Sequence, residues 1–197
     1  MKSTELFAMR RSRYELTNKI PMTDKELESL LGEVIRQAPS AFNIQSARAV
    51  VLLGEKHGTL WQIVHDSLRA IIPADNFGPT AEKIKSFAAA YGTILYFDDT
   101  LSTRSLQGKY PAYAANFPVW AEQANGILQF AVWTALAEAG IGASLQHYNP
   151  LIDEAVKTTF SLPNSWKLIA QMPFGVSVGE DTEKTFLPLA ERLQIQK

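Results

Sequence analysis

The stretch VWAEQANGILQFAVWTALAEA, residues 119–139, decides how this chain is built. Ile127, Leu128, Phe130, Ala131, Val132, Trp133, Ala135 and Leu136 put apolar side chains on nearly every side of a helical period. A helix without a polar face has nothing to show to water, so it belongs at the centre of a core or of an oligomer. Everything before and after it is shorter and more ordinary. At 23–38, TDKE forms a capping box from Thr23 and Glu26, Met22 and Leu27 can staple it, and Leu27, Leu30, Leu31, Val34, Ile35 and Ala38 form one stripe. Pro39 ends that helix. Residues 49–53, AVVLL, read as a buried strand.

Leu60, Ile63, Val64, Leu68 and Ile71 recur at helical spacing, which predicts a helix over 56–72 closed by Pro73. Residues 80–90 also read as helical. A second strand is expected at 93–97, followed by Asp98 and Asp99, and a third at 166–172. Residues 100–118 mix Gly, Pro and Tyr without a period; such a segment is a lid, a binding loop or plain surface. Asn149 and Pro150 have the chemistry of an N-cap and a first helical position. The tail FLPLAERLQIQ, 186–196, is too apolar to hang free: a monomer folds it back, or a partner subunit receives it. Long helices around few strands, without regular alternation, predict an α+β layer fold.

With 197 residues and no linker-like stretch, the chain reads as a single domain, 1–197. A hydrophobic share of 46% suits a packed globule. A net charge of −1, with Lys and Arg scattered singly, leaves no electrostatic footprint for nucleic acid or an anionic membrane. The absence of cysteine excludes disulfides, thiolate metal sites and thiol nucleophiles. The N-terminus lacks the apolar centre of a secretion signal, and the apolar runs fall short of a membrane span, so cytoplasm is the expected compartment.

Catalytic templates find little. GIGASL follows a helix and lacks the third glycine of a dinucleotide fingerprint. No G-x-S-x-G, H-E-x-x-H or P-loop occurs, and His57, His65 and His147 have no metal-binding spacing; His57 and His65 read as solvated helix residues. Asp98 and Asp99 are a carboxylate pair or an ordinary cap at a strand end. Ser144 and His147 lack an orienting acid. Two polar stretches remain: RRSRYEL at 10–16, with the residue types that grip a phosphate or simply a solvated basic helix face, and APSAFNIQSAR at 38–48.

Together with SLQHYNPLID and QMPFG, in that order along the chain, these stretches resemble the flavin-dependent nitroreductase family, and most of all its short branch, the Frm2-like or fatty acid repression mutant proteins. The resemblance implies an α+β nitroreductase-like fold, with a central antiparallel-type sheet flanked by helices, in an intertwined homodimer that exchanges its C-terminal tails. It implies one FMN in each of two interfacial sites, with NADH or NADPH as hydride donor. On that resemblance Arg10, Arg11 and Ser12 hold the phosphate and the polar edge of the flavin, while Ser40, Asn43 and Gln45 come from the other subunit. Leu145, Gln146 and His147 match the segment beside the reactive face, and Lys184 matches a phosphate contact. No metal and no catalytic side chain is implied, since the flavin carries the hydride. Many relatives have a Lys or Arg two residues after the Ser; here that position is Tyr14, preceded by Arg13. Many also carry a longer insertion over the substrate mouth.

The expected activity is reduction of nitroaromatic or quinone-like acceptors by ping-pong hydride transfer. The alternatives are a flavin-binding regulatory protein, linked to lipid or redox signalling, with little turnover, and a non-flavin helical dimerisation protein in which both polar stretches are loops. Phe42, Tyr110, Tyr113, Phe117 and Trp120 are candidate walls for a small flat aromatic acceptor, or else core or interface residues.

Overall fold

Residues 2–179 and 183–197 are described by the structure, a computed structural model. In chain order the regular elements are α1 (Ser3–Met9), α2 (Asp24–Gln37), β1 (Ala47–Leu53), α3 (Gly54–Arg69), α4 (Gly78–Ala88) and β2 (Gly92–Asp99). They continue with α5 (Thr100–Lys109), α6 (Phe117–Glu138), β3 (Gly142–Ala143), α7 (Asp153–Thr159) and β4 (Trp166–Gly175). The strands form one antiparallel sheet in the order β1-β2-β4-β3.

Strand alternation divides the core in two. On β2, Ile94 and Tyr96 face a cluster with Leu27 and Leu31 of α2 and Leu128, Val132 and Leu136 of α6. Leu95 and Phe97 face the opposite cluster, with Leu60, Trp61 and Val64 of α3 and Ile84 and Phe87 of α4. Both faces of β2 are covered, which is why it reads as an unbroken apolar run. The pairing of Tyr96 with Ala170 and of Phe97 with Leu168 leaves Ile169 unopposed. This bulge puts Leu168 in the second cluster although Ala170, Met172 and Phe174 lie in the first.

The central helix α6 buries Ala121, Ala124, Leu128, Val132 and Leu136, while Val119, Ile127 and Phe130 on its other side remain exposed. Its two buried amides are satisfied: Asn125 Nδ2 donates to the Phe97 carbonyl at 2.9 Å, and Gln129 Nε2 to Asn125 Oδ1 at 2.7 Å. Every described side chain from residue 183 onward is exposed, including Phe186, Leu187, Leu189, Leu193 and Ile195. The tail is therefore not folded back into its own chain's core. No helix among the described residues is long and apolar enough to cross a membrane.

Three expectations need correction. Residues 100–118 are not an aperiodic loop: α5 occupies their first half, with a short 3₁₀ turn at Pro111–Tyr113. Its sequence shows no stripe because only Thr103 is buried. Asp99 starts the helix by accepting from the Leu101 amide at 3.3 Å and the Ser102 hydroxyl at 3.1 Å, and it pairs with Arg48 at 2.9 Å. The cap reading of Asp99 therefore holds. Burial opposes its charge, yet hydrogen bonds from Ser165, Ser102 and the Leu101 amide, and then Arg48, hold the carboxyl below its ordinary range. Asp99→Ala is expected to cost about 1–3 kcal/mol in urea unfolding, from the lost cap and the stranded Arg48.

Asn149 and Pro150 do not begin α7, which starts at Asp153 after a turn closed by the Asp153 amide on the Pro150 carbonyl. The Asn149 amide is engaged by Gln171 Nε2 at 3.4 Å and is not free to cap.

His57 is buried, not solvated. Trp61 Nε1 donates to Thr93 Oγ1 at 3.0 Å, the Thr93 hydroxyl donates to His57 Nδ1 at 2.9 Å, and His57 Nε2 donates to the Ala88 carbonyl at 3.1 Å. Of the two neutral tautomers, only the Nε2–H form satisfies all three. Burial holds the imidazole below its ordinary pKa, with the Ala88 and Phe87 carbonyls partly offsetting it. The unfolded chain binds this proton below about pH 6.5 and the folded chain resists it, so stability falls as pH drops from that value towards the folded pKa. His57→Gln is expected to flatten the change in urea midpoint across this window.

Candidate functional site

The N-terminal segment is pinned to the outer edge of the sheet. Its Arg13 amide donates to the Ala143 carbonyl at 2.9 Å, and Ser12 bridges Ala143. Further on, the Thr17 amide donates to the Val176 carbonyl at 2.9 Å, the Val178 amide to Glu15 at 3.0 Å and the Val176 amide to Lys19 at 2.8 Å. Two glycines permit this closeness: a Cβ on Gly142 would lie 3.0 Å from the Arg13 side chain, and one on Gly175 only 2.2 Å from the Thr17 carbonyl oxygen.

The β3 register continues past its last residue. The Ser144 amide donates to Pro173 at 3.3 Å, and Gln146 and Gln171 exchange backbone hydrogen bonds of 2.7 and 2.9 Å. Alternate residues of an antiparallel pair face the partner strand, so the amides of Leu145 and His147 point to the outer side, where the Ala143 carbonyl holds Arg13. Gln171, fully buried, fixes the segment with its side chain by accepting from the Tyr148 amide at 2.8 Å. Gln146 is buried and donates to Ser144 Oγ at 3.1 Å, whereas the His147 side chain is exposed.

Arg10 lies 4.4 Å above the Trp133 ring of α6. Arg10 Nε, Trp133 Nε1 and Ser177 Oγ are buried with no partner among the described residues. Burial, and then the neighbouring Arg11, lower the Arg10 pKa. Arg11, Arg13, Gly140, Gly142 and Ser177 line a cleft of about 220 Å³ beside this group. Donors without acceptors and several guanidinium groups suit an anionic group brought from outside the chain. Tyr14 is exposed.

Ser40, Asn43 and Gln45 lie together elsewhere. Phe42, Asn43 and Gln45 have φ of +54°, +50° and +50°, left-handed backbone that costs a non-glycine residue about 1–2 kcal/mol. The Gln45 amide donates to Ser40 Oγ at 3.0 Å, the Asn43 amide to the Ser40 carbonyl at 3.0 Å, and Arg48 grips the Gln45 carbonyl. Ser40 and Gln45 line a cleft of about 340 Å³ with Ala124 and Leu128 of α6, whereas the Arg11 cleft lies at Ala137. From Ala124 to Ala137 the helix rises about 20 Å. One chain therefore unites Arg10, Arg11 and Ser12 with Leu145, Gln146 and His147, and keeps Ser40, Asn43 and Gln45 apart. Lys184 is in the exposed tail, its ammonium 5.2 Å above the Phe186 ring.

This sheet edge, its arginine-rich strap and the long central helix define a nitroreductase-like fold. The chain belongs to the Nitroreductase family, which residues 7–176 match. Among curated relatives, nitroreductase FRM2 of Saccharomyces cerevisiae is 34% identical over 184 residues, covering 90% of this chain and 89% of the relative. Nitroreductase CinD from Lactococcus lactis, solved with nicotinic acid, is 42% identical with a TM-score of 0.93 over 100% of both chains; solved with 4-nitrophenol, it is 41% identical with a TM-score of 0.91 over the same coverage. A protein from Exiguobacterium sibiricum solved with FMN shares the fold at 13% identity, with a TM-score of 0.74 over 100% of this chain and 98% of that one.

From sequence, Trp133 stands out only as an apolar residue of the central helix, and Gln171 and Gly175 only as the ends of QMPFG. A lone amide within the apolar WKLIAQMPFG was the available signal for Gln171; Trp133 and Gly175 act through neighbours distant in sequence.

Proposed function

We propose that this oxidoreductase is an FMN-dependent NAD(P)H enzyme that reduces nitroaromatic or quinone-like acceptors, working as a homodimer with two interfacial sites. The observation carrying this reading is the hydrogen bond from Arg13 to Ala143, which ties the RRS segment to the strand edge bearing the outward amides of Leu145 and His147. Arg10, Arg11 and Ser12 would hold the phosphate, and those two amides would address the central nitrogen of the ring. Ser40, Asn43 and Gln45, a helix length away, would complete the flavin wall of the opposite protomer. The five exposed apolar side chains of the tail support its exchange onto that protomer, with Lys184 reaching the phosphate.

FMN, when bound, relays hydride from the nicotinamide to the acceptor. Per nitro group the first turnover is NAD(P)H + H⁺ + R–NO₂ → NAD(P)⁺ + R–NO + H₂O. The chain's own task is to orient the ring and to supply positive charge near its pyrimidine edge. With Tyr14 at the position where many relatives carry a cation, Arg13, which lines the cleft with Arg11, is the neighbouring cation in sequence.

Initial rates of NADPH oxidation, measured against 4-nitrophenol at several fixed concentrations, test the reading. Parallel double-reciprocal lines are expected. Flavin-loaded protein without acceptor-dependent oxidation would favour the regulatory alternative.

A further inference from the structure

We propose that Phe42 selects the acceptor, and does so from the opposite protomer, an inference that rests on the flavin reading above. Phe42 belongs to the same left-handed loop as Asn43 and Gln45, and a bulky residue at φ +54° persists only where its surroundings dictate it. Those surroundings are aromatic. Ring centroids lie 5.1 Å away at Tyr110, 5.4 Å at Phe117 and 6.0 Å at Trp120, the last nearly parallel at 20°. Phe117 is fully buried and anchors the platform, and Gln107 Nε2 pins the turn beneath it by donating to the Ala114 carbonyl at 2.8 Å.

Phe42 itself is 52% exposed on the single chain, so the left-handed loop holds out a ring that its own chain leaves half uncovered. That is a poor arrangement for a core residue and a good one for stacking a flat, electron-poor guest. The Lys109 ammonium, 5.4 Å above the Tyr110 ring, adds one positive charge at the rim, suited to nitro or carboxylate oxygens. The platform adjoins its loop: Trp120 and Ser40 line one cleft, at the far end of α6 from Arg11. If Ser40, Asn43 and Gln45 wall the partner's flavin, Phe42 faces the partner's acceptor.

The test compares kcat/KM for 4-nitrophenol with that for ferricyanide, a compact octahedral acceptor that cannot stack, using FMN-loaded protein and NADPH. The ratio is expected to fall about 10-fold in Phe42→Ala, mainly through KM for the nitroarene, and to fall similarly in Phe42→Leu, which keeps volume without a ring. A ratio that stays constant, whether both activities hold or drop together, overturns the proposal. In mixed dimers of F42A and R10A chains, one site is intact only if Phe42 acts across the interface. Nitrophenol activity above that of either variant homodimer is expected, and no gain would overturn the action in trans. Wild-type protein that takes up no FMN would instead sink the flavin reading itself.

Discussion

Arg10→Ala is expected to weaken FMN binding by about 30- to 150-fold, equivalent to about 2–3 kcal/mol for charge-assisted hydrogen bonds to a phosphate. The expectation follows from an unusual local balance. The guanidinium is stacked on Trp133, its Nε is buried without an acceptor, and Arg11 stands beside it. The unpartnered Nε carries a desolvation cost that an arriving anion would offset. Arg10→Lys should recover part of the loss, because it restores the charge but not the planar fork that stacks and donates together. Quenching of FMN fluorescence on titration measures both; an alanine variant that binds FMN like wild type would remove Arg10 from the site.

Gly175→Ala should be among the most destabilising single changes in the chain. The added Cβ would sit 2.2 Å from the Thr17 carbonyl oxygen and 3.2 Å from the Tyr91 amide nitrogen, both backbone atoms that cannot swing aside. Relief requires the 15–19 strap to lift, breaking the hydrogen bonds that join Glu15, Thr17 and Lys19 to Val176 and Val178 and uncovering buried Leu16. Overpacking and the broken hydrogen bonds together cost about 3–5 kcal/mol, a fall in Tm of roughly 10 °C for a domain of this size. The same strap carries Ser12 and Arg13, so FMN affinity should fall alongside stability. A G175A protein melting within about 2 °C of wild type would mean that the strap is not held as described.

What could be read from sequence followed a physical rule. The α2 helix was legible because its capping box and apolar stripe are local, and Thr23 and Glu26 form that box in the structure. Strand β2 was legible because both its faces are covered. Helix α5 was hidden because it buries one residue and is started by the side chain of Asp99 rather than by a period. His57 was misplaced because two of its partners, Thr93 and Ala88, come from distant elements. Within the candidate site, residue types announced themselves: arginines with a serine, then small residues and amides. Their grouping did not. That Ser12 lies beside the strand carrying Leu145, and that Ser40 lies a helix length from both, depends on strand pairing and on α6.

The proposed function requires that this chain bind FMN and pass electrons through it. The direct measurement is the visible absorption spectrum of the purified protein after incubation with FMN and removal of excess, followed by NADPH without oxygen. Flavin bands that stay with the protein and bleach on addition of NADPH are expected. Protein that retains no flavin bands, or bands that NADPH leaves untouched, would overturn the flavin reading.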